Sequence, residues 1–189
     1  MFIHEYDLSV EQHPEDFLSE VTVKGVALDS SAVFTFCLNP GLTIHSVHSA
    51  GQQLKFKRDK QIVLVDFGTK HAKGDTISAT FRYDGQIDNS FCYLDIPPEV
   101  LQASNKKFLF NIDKQYSFQT KNYLMLTPET YWYPRAGTSY SDKNPDWQQT
   151  YFSNYRLKVK PLPGLVPLSQ GEGKCDEAVS YTHLRAHET

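Results

Sequence analysis

The sequence is poor in the features that most often announce a function. Its 189 residues include three cysteines, two methionines and no long apolar run. A membrane-spanning helix needs roughly 18 to 20 consecutive apolar residues, so none is expected. Cys37, Cys92 and Cys175 are odd in number and share no repeated spacing, which excludes a disulfide framework or a zinc knuckle. Lysine and arginine number 19 against 22 acids, for a net charge of −3, and the two signs are interspersed. Binding nucleic acid needs a basic face, so nucleic acid is not expected as a partner. The opening Met1-Phe2-Ile3-His4-Glu5 has neither a basic n-region nor an apolar h-region, and no secretory leader is expected there. There is no fixed-period repeat and no low-complexity tract.

What the chain does have is aromatic residues, at 13%, with 11 tyrosines and 12 phenylalanines. Such side chains suit a pleated surface. Phe2, His4, Tyr6, Leu8 and Val10 alternate with mostly polar residues, the period of a half-buried strand. Residues 17–28 continue in the same style, with Val21 and Val23 on one face and Gly25 as a bulge candidate. Residues 33–38 end at Asn39-Pro40-Gly41, a turn signature. Strands are expected at 44–47, 54–57, 62–67 and 76–83, the last with Ile77, Ala79, Phe81 and Tyr83 in clean alternation. Further strands are expected at 123–126 and 151–160 and, after a proline-rich turn, at Leu165-Val166. Residues 97–102 suit a short helix, with proline in its first turn. The expected fold is all-β, an antiparallel sandwich or saddle with a short helix and long aromatic loops.

Few side chains group as a catalytic set would. Zinc chemistry needs three protein ligands and an open position. The candidates His4, His13, His45, His48 and His71 are scattered, and His45 and His48 fall on opposite sides of a strand. Cys37 lies in the apolar run Val33-Phe34-Thr35-Phe36-Cys37-Leu38 and reads as a small buried hydrophobe. Tyr131, Trp132 and Tyr133 suit either a ligand platform or, preferably, a plug that seals the sandwich. Arg135 beside them is placed to stack or to pair with a carboxylate. Asp84, Asp88 and Asp95 read as solvated turn residues.

The order of several segments carries a resemblance. Leu38-Asn39-Pro40-Gly41-Leu42 precedes Phe81-Arg82-Tyr83-Asp84-Gly85-Gln86-Ile87-Asp88. Then come Leu126-Thr127-Pro128-Glu129, Trp132-Tyr133-Pro134, Tyr155-Arg156-Leu157-Lys158-Val159 and Pro163-Gly164-Leu165-Val166. Over residues 1–177 this resembles the N-terminal β-saddle domain of M1 (alanyl aminopeptidase-like) zinc peptidases. It is most similar to the branch fused behind an ABC transporter permease. The resemblance implies a non-catalytic domain that packs against a catalytic domain absent from this chain. Zinc, the H-E-x-x-H ligand motif and a second glutamate would belong to that domain. It also implies a peptide substrate, a bacterial parent anchored in the membrane, and a role for Glu129 in holding the substrate's α-amino group. The chain departs from the family at Thr130-Tyr131-Trp132-Tyr133-Pro134-Arg135, which stands where acidic, double-arginine and F-P-C residues are usual. Two other readings stay open: a free-standing β-sandwich that binds protein or carbohydrate, and a parent that keeps the domain as a scaffold without peptidase chemistry.

The tail needs separate treatment. Residues 179–189 are similar to an in-frame translation of a transposon-end adapter used in sequencing libraries. On that reading 178–189 is no domain, and the natural chain continues past Glu177. His183 and His187 would share one face of a helix, yet Leu184 stands where a metalloprotease motif needs glutamate, so the pair and Glu188 are expected to be a decoy.

Overall fold

The computed structural model describes residues 1–91, 117–137, 153–176 and 181–187. In chain order its strands are β1 (Phe2–Gln12), β2 (Phe17–Val26), β3 (Ser31–Cys37), β4 (Leu42–Ser49), β5 (Gln52–Gln53), β6 (Lys55–Asp59) and β7 (Ile62–His71). There follow β8 (Thr76–Gly85), β9 (Ser117–Gln119), β10 (Leu124–Leu126), β11 (Arg135–Ala136), β12 (Asn154–Lys160), β13 (Glu172–Asp176) and β14 (Tyr181–His187). One sheet runs in the order β13-β14-β12-β1-β2-β8-β4-β5 and a second in the order β11-β3-β7-β6. β9 and β10 form a separate hairpin. Pairing is antiparallel except between β1 and β12, which run parallel. The chain is all-β, as its alternation predicts. Its regular helical structure among the described residues is confined to two single 3-10 turns, Asn89–Phe91 and Pro128–Thr130. The helix expected at 97–102, together with Cys92 and Asp95, lies outside the described residues.

The two main sheets face each other across one apolar core. Phe17, Val21 and Val23 of β2, Val47 of β4, and Ile77, Ala79, Phe81 and Tyr83 of β8 come from the large sheet. Phe34 and Phe36 of β3 and Val63 and Val65 of β7 come from the small one. The Phe36 and Phe81 rings meet edge-on between the sheets, with centroids 4.9 Å apart. The large sheet's outer face is polar. Glu5 accepts from Lys24 at 2.7 Å, Asp7 from Arg156 at 3.3 Å and Glu11 from Lys160 at 2.6 Å. Exposed pairs of this kind contribute little each, but across β2, β1 and β12 they favour one register and keep the face solvated.

Two expectations are corrected. The alternation assigned to Phe2, His4 and Tyr6 breaks at a β-bulge between Ile3 and Glu5, so Ile3 joins Tyr6, Leu8 and Val10 in the core while Phe2 and His4 are only half-buried. The bulge sits on β1, and Gly25 of β2 is its partner. A Cβ there would lie 2.3 Å from the Phe2 carbonyl oxygen, so glycine lets the bulged strand come close. No strand forms at Leu165-Val166. Pro161, Pro163 and Pro167 remove the N–H groups a ladder needs, and Val166 is 78% exposed. Tyr181–His187 is a strand between β12 and β13, with Leu184 opposite both Leu157 and Gly173. His183 and His187 therefore lie on a strand and not on a helix.

Cys37 ends β3 and is 1% exposed. Burial pushes its thiol up to about 12, with Arg135 and Arg58 opposing in part. Two outcomes follow. Alkylating reagents are expected to spare Cys37 in the native chain and to label it only after unfolding, since the thiolate is the nucleophile; peptide-resolved mass spectrometry reads this out. Because the folded-state value lies above the ordinary 9.0, the thiol's contribution to stability is complete below pH 9 and is lost as pH rises towards about 12. Cys37→Ala should flatten that alkaline decline in denaturant titrations, and an unchanged slope would assign it elsewhere.

Candidate functional site

The loops that join the two sheets at one end of the sandwich converge on Asn39. β3 ends there, β4 begins there and β8 finishes there. Asn39 is 0% exposed. Its carboxamide Nδ2 donates to the carbonyls of Asp88 (3.1 Å) and Thr130 (2.9 Å), and its Oδ1 accepts from the N–H groups of Gly41 (3.0 Å) and Asp88 (2.8 Å). Its backbone N–H donates to the Tyr131 carbonyl at 2.9 Å, and its own carbonyl accepts from Leu42 and Arg58. Only one orientation of the amide satisfies all four side-chain partners, so the network fixes it. A buried amide left unpaired is costly, which makes this convergence specific as well as stable.

Arg58 of β6 reinforces the same loop. Its half-buried guanidinium donates to the carbonyls of Leu38 (3.1 Å), Asn39 and Leu42, and its Nε to that of Lys60 (2.7 Å). Burial lowers its pKa. Gly41 is required by close approach: a Cβ would lie 2.1 Å from the Gln86 carbonyl oxygen and 2.8 Å from the Asp88 nitrogen.

The turn that Asn39 holds carries Glu129. After β10, Pro128–Thr130 makes one 3-10 turn, with Pro128 in its first positions, where proline's missing N–H is harmless. Thr130 is 0% exposed and its hydroxyl donates to the Thr127 carbonyl at 2.6 Å. Tyr131 closes the turn in the left-handed region, φ 51°, a costly conformation for a residue with a Cβ. Its buried ring and the Asn39 bond to its carbonyl hold it there. Glu129 is half-buried on this turn, and its carboxylate has no hydrogen-bond or ion-pair partner among the described residues.

The aromatic run beyond is a plug. Tyr131 and Tyr133 are each 6% exposed. Tyr133 packs edge-on against Tyr6 (5.2 Å) and Trp132 (4.9 Å). The hydroxyl of fully buried Tyr83 donates to the Trp132 carbonyl at 2.8 Å, and burial raises its pKa. The Arg135 guanidinium lies over the Tyr131 ring, 5.7 Å from its centroid, the stacking considered from the sequence.

The histidines do not converge. His45 pairs with Asp84 (2.9 Å), His13 with Asp16 (2.7 Å), and His71 packs against Phe34 and Phe67. Among the described residues no three His, Cys, Asp or Glu side chains are placed to hold a metal ion. Asp84 lies in β8 and not in a turn, with its partly exposed carboxylate 2.9 Å from His45 Nε2, and Asp88 lies just beyond β8 with its backbone N–H and carbonyl held by Asn39. Sequence reasoning missed Asn39 and Arg58 as site residues. The Asn39 bond to Gly41, two positions on, is a local signal; its ties to 88 and 130 have none. No helix among the described residues is long and apolar enough to cross a membrane.

Comparison with known proteins bears on what this end of the sandwich is for. No family model matches the chain, and no curated protein matches it. Solved structures do. A variant of an M1 zinc metallopeptidase from Deinococcus radiodurans bound to a Tyr-Ser-Ala substrate aligns with TM-score 0.67 and 13% identity over 98% of this chain. A two-domain M1 zinc metallopeptidase variant bound to L-arginine gives 0.68 and 14% over 100% of this chain and 39% of its own. Native yeast LTA4 hydrolase gives 0.63 and 13% over 97% of this chain and 26% of its own. The chain spans 38% of the length of the Deinococcus structure. At these identities the likeness is one of fold: this β-sandwich has the architecture of one part of the M1 zinc metallopeptidases.

Proposed function

We propose that the chain is the non-catalytic N-terminal domain of an M1-type metallo-aminopeptidase-like protein. It packs against a catalytic domain encoded beyond it and presents Glu129 to the α-amino group of a peptide substrate. The observation that carries this is the alignment of 98% of the chain onto 38% of a metallopeptidase chain, which joins the order of motifs from Leu38 to Val166. Glu129 suits the role chemically. A carboxylate without a partner among the described residues, on a turn pinned to the core, offers a charge-assisted hydrogen bond to an ammonium group. Zinc does not fit the described residues, which lack a three-ligand set; in this reading it belongs to the following domain, and this chain's part is to wall the cleft and orient the substrate's amino end. A membrane-anchored, permease-fused parent and an adapter origin for 178–189 rest on the sequence resemblances alone. The rival, a free-standing module binding protein or carbohydrate through its aromatic run, needs exposed rings, and Tyr131 and Tyr133 are buried.

The deciding experiment is to read the source DNA past Glu177. H-E-x-x-H is expected within roughly a hundred residues, as a ligand set in the next domain requires. A stop codon directly after Glu177 would leave the proposal without a catalytic partner and end it.

A further inference from the structure

We infer that Asn39 is the positioning residue for the Glu129 carboxylate: its buried carboxamide ties the turn that carries Glu129 to the ends of both core sheets. The inference rests on the reading that Glu129 meets a substrate amine. Three observations support it. Asn39 is the side chain that bonds directly to the Thr130 carbonyl, one residue after Glu129, at 2.9 Å, while its backbone N–H holds the Tyr131 carbonyl at 2.9 Å. These two bonds grip consecutive carbonyls of the turn and so fix its orientation as well as its distance. The other half of the carboxamide is anchored on rigid backbone: Gly41, where β4 begins, and Asp88, just beyond β8. Arg58 in turn holds the carbonyls of Leu38, Asn39 and Leu42, so the anchor itself is braced from β6. The strained Tyr131 conformation sits two residues after Glu129, where a turn released from Asn39 would relax.

A single substitution separates positioning from bulk stability. Asn39→Asp keeps the acceptor oxygen that serves Gly41 and Asp88 but sets a second oxygen against the carbonyls of Thr130 and Asp88. In this chain, amide exchange at Thr130 and Tyr131 is expected to accelerate about tenfold or more, while the amides of Val21 and Phe81 in the central strands stay near their original rates. Acidification, which gives the introduced carboxyl one donor for the two carbonyls, should restore protection in part. Acceleration spread evenly over core amides, or none at Thr130 and Tyr131, overturns the inference. Should the variant not fold, the unaltered chain decides: slow exchange of the Asn39 carboxamide protons, with a scalar coupling across the hydrogen bond to the Thr130 carbonyl, supports it, and rapid exchange without coupling overturns it. In the full-length gene product, Asn39→Asp and Glu129→Gln should raise KM for amino-acid amides without adding in the double variant; full additivity counts against Asn39 acting through Glu129. If Glu129→Gln alone leaves KM unchanged, the amine-binding reading fails, and the exchange data still decide whether Asn39 places the turn.

Discussion

Phe81→Ala is expected to lower the free energy of unfolding by about 3–5 kcal/mol. Phe81 is 0% exposed, on β8 in the middle of the large sheet, and meets Phe36 of the small sheet edge-on. Truncation removes the ring's burial and its aromatic contact, and leaves a void that two hydrogen-bonded sheets cannot readily close. A domain's total stability is typically about 5–15 kcal/mol, so this one change takes a large fraction of it. Denaturant titration should show a lower midpoint with an unchanged slope, the mark of altered stability and not of altered compactness. Val33→Ala is the control: Val33 is 44% exposed, and its truncation should cost well under half as much. Equal effects at the two positions would mean that the interface between the sheets is not the core described here.

The strands of that core were legible because burial on one face leaves a period of two. Ile77, Ala79, Phe81 and Tyr83 are all within 1% of full burial, as their alternation predicts. Where the reading failed, the deciding physics lay outside the segment. The bulge in β1 is a property of its pairing with β2, and nothing in Phe2 to Tyr6 signals that the phase shifts there. Leu165-Val166 looked like a strand by composition, but a ladder needs donors that the flanking prolines do not supply. The site shows the same division. Proline at 128 and the run of Tyr131 to Tyr133 mark a turn and a plug from local chemistry. Asn39 reaches partners 49 and 91 positions away, and a single chain carries no local trace of such contacts. Arg58 was hidden in a charged stretch, Lys55-Phe56-Lys57-Arg58-Asp59, whose other charges are exposed.

Glu129→Ala in the full-length gene product is expected to raise KM for amino-acid amides by roughly 10- to 100-fold, since a hydrogen bond to a charged group contributes about 1.5–3 kcal/mol. kcat should change less, because the ammonium keeps its charge through the reaction and the contact is made in both ground and transition states. Fold stability should stay within about 0.5 kcal/mol, as for other surface changes away from packed or paired groups. Substrate analogues that lack the amino group provide the internal control: they have no ammonium, so the substitution should leave their inhibition constants unchanged. The pH dependence carries a sign. An α-amino group titrates near pH 7.7–8.0, so the advantage conferred by Glu129 is complete below that range and declines as the amine loses its proton. Glu129→Ala should therefore flatten the alkaline rise in KM that the unaltered protein shows, and Glu129→Gln should fall between the two, since it keeps an acceptor and gives up the charge. A KM indifferent to all three conditions would leave Glu129 as a turn residue that follows Pro128, held in place by Asn39 for the sake of the fold alone.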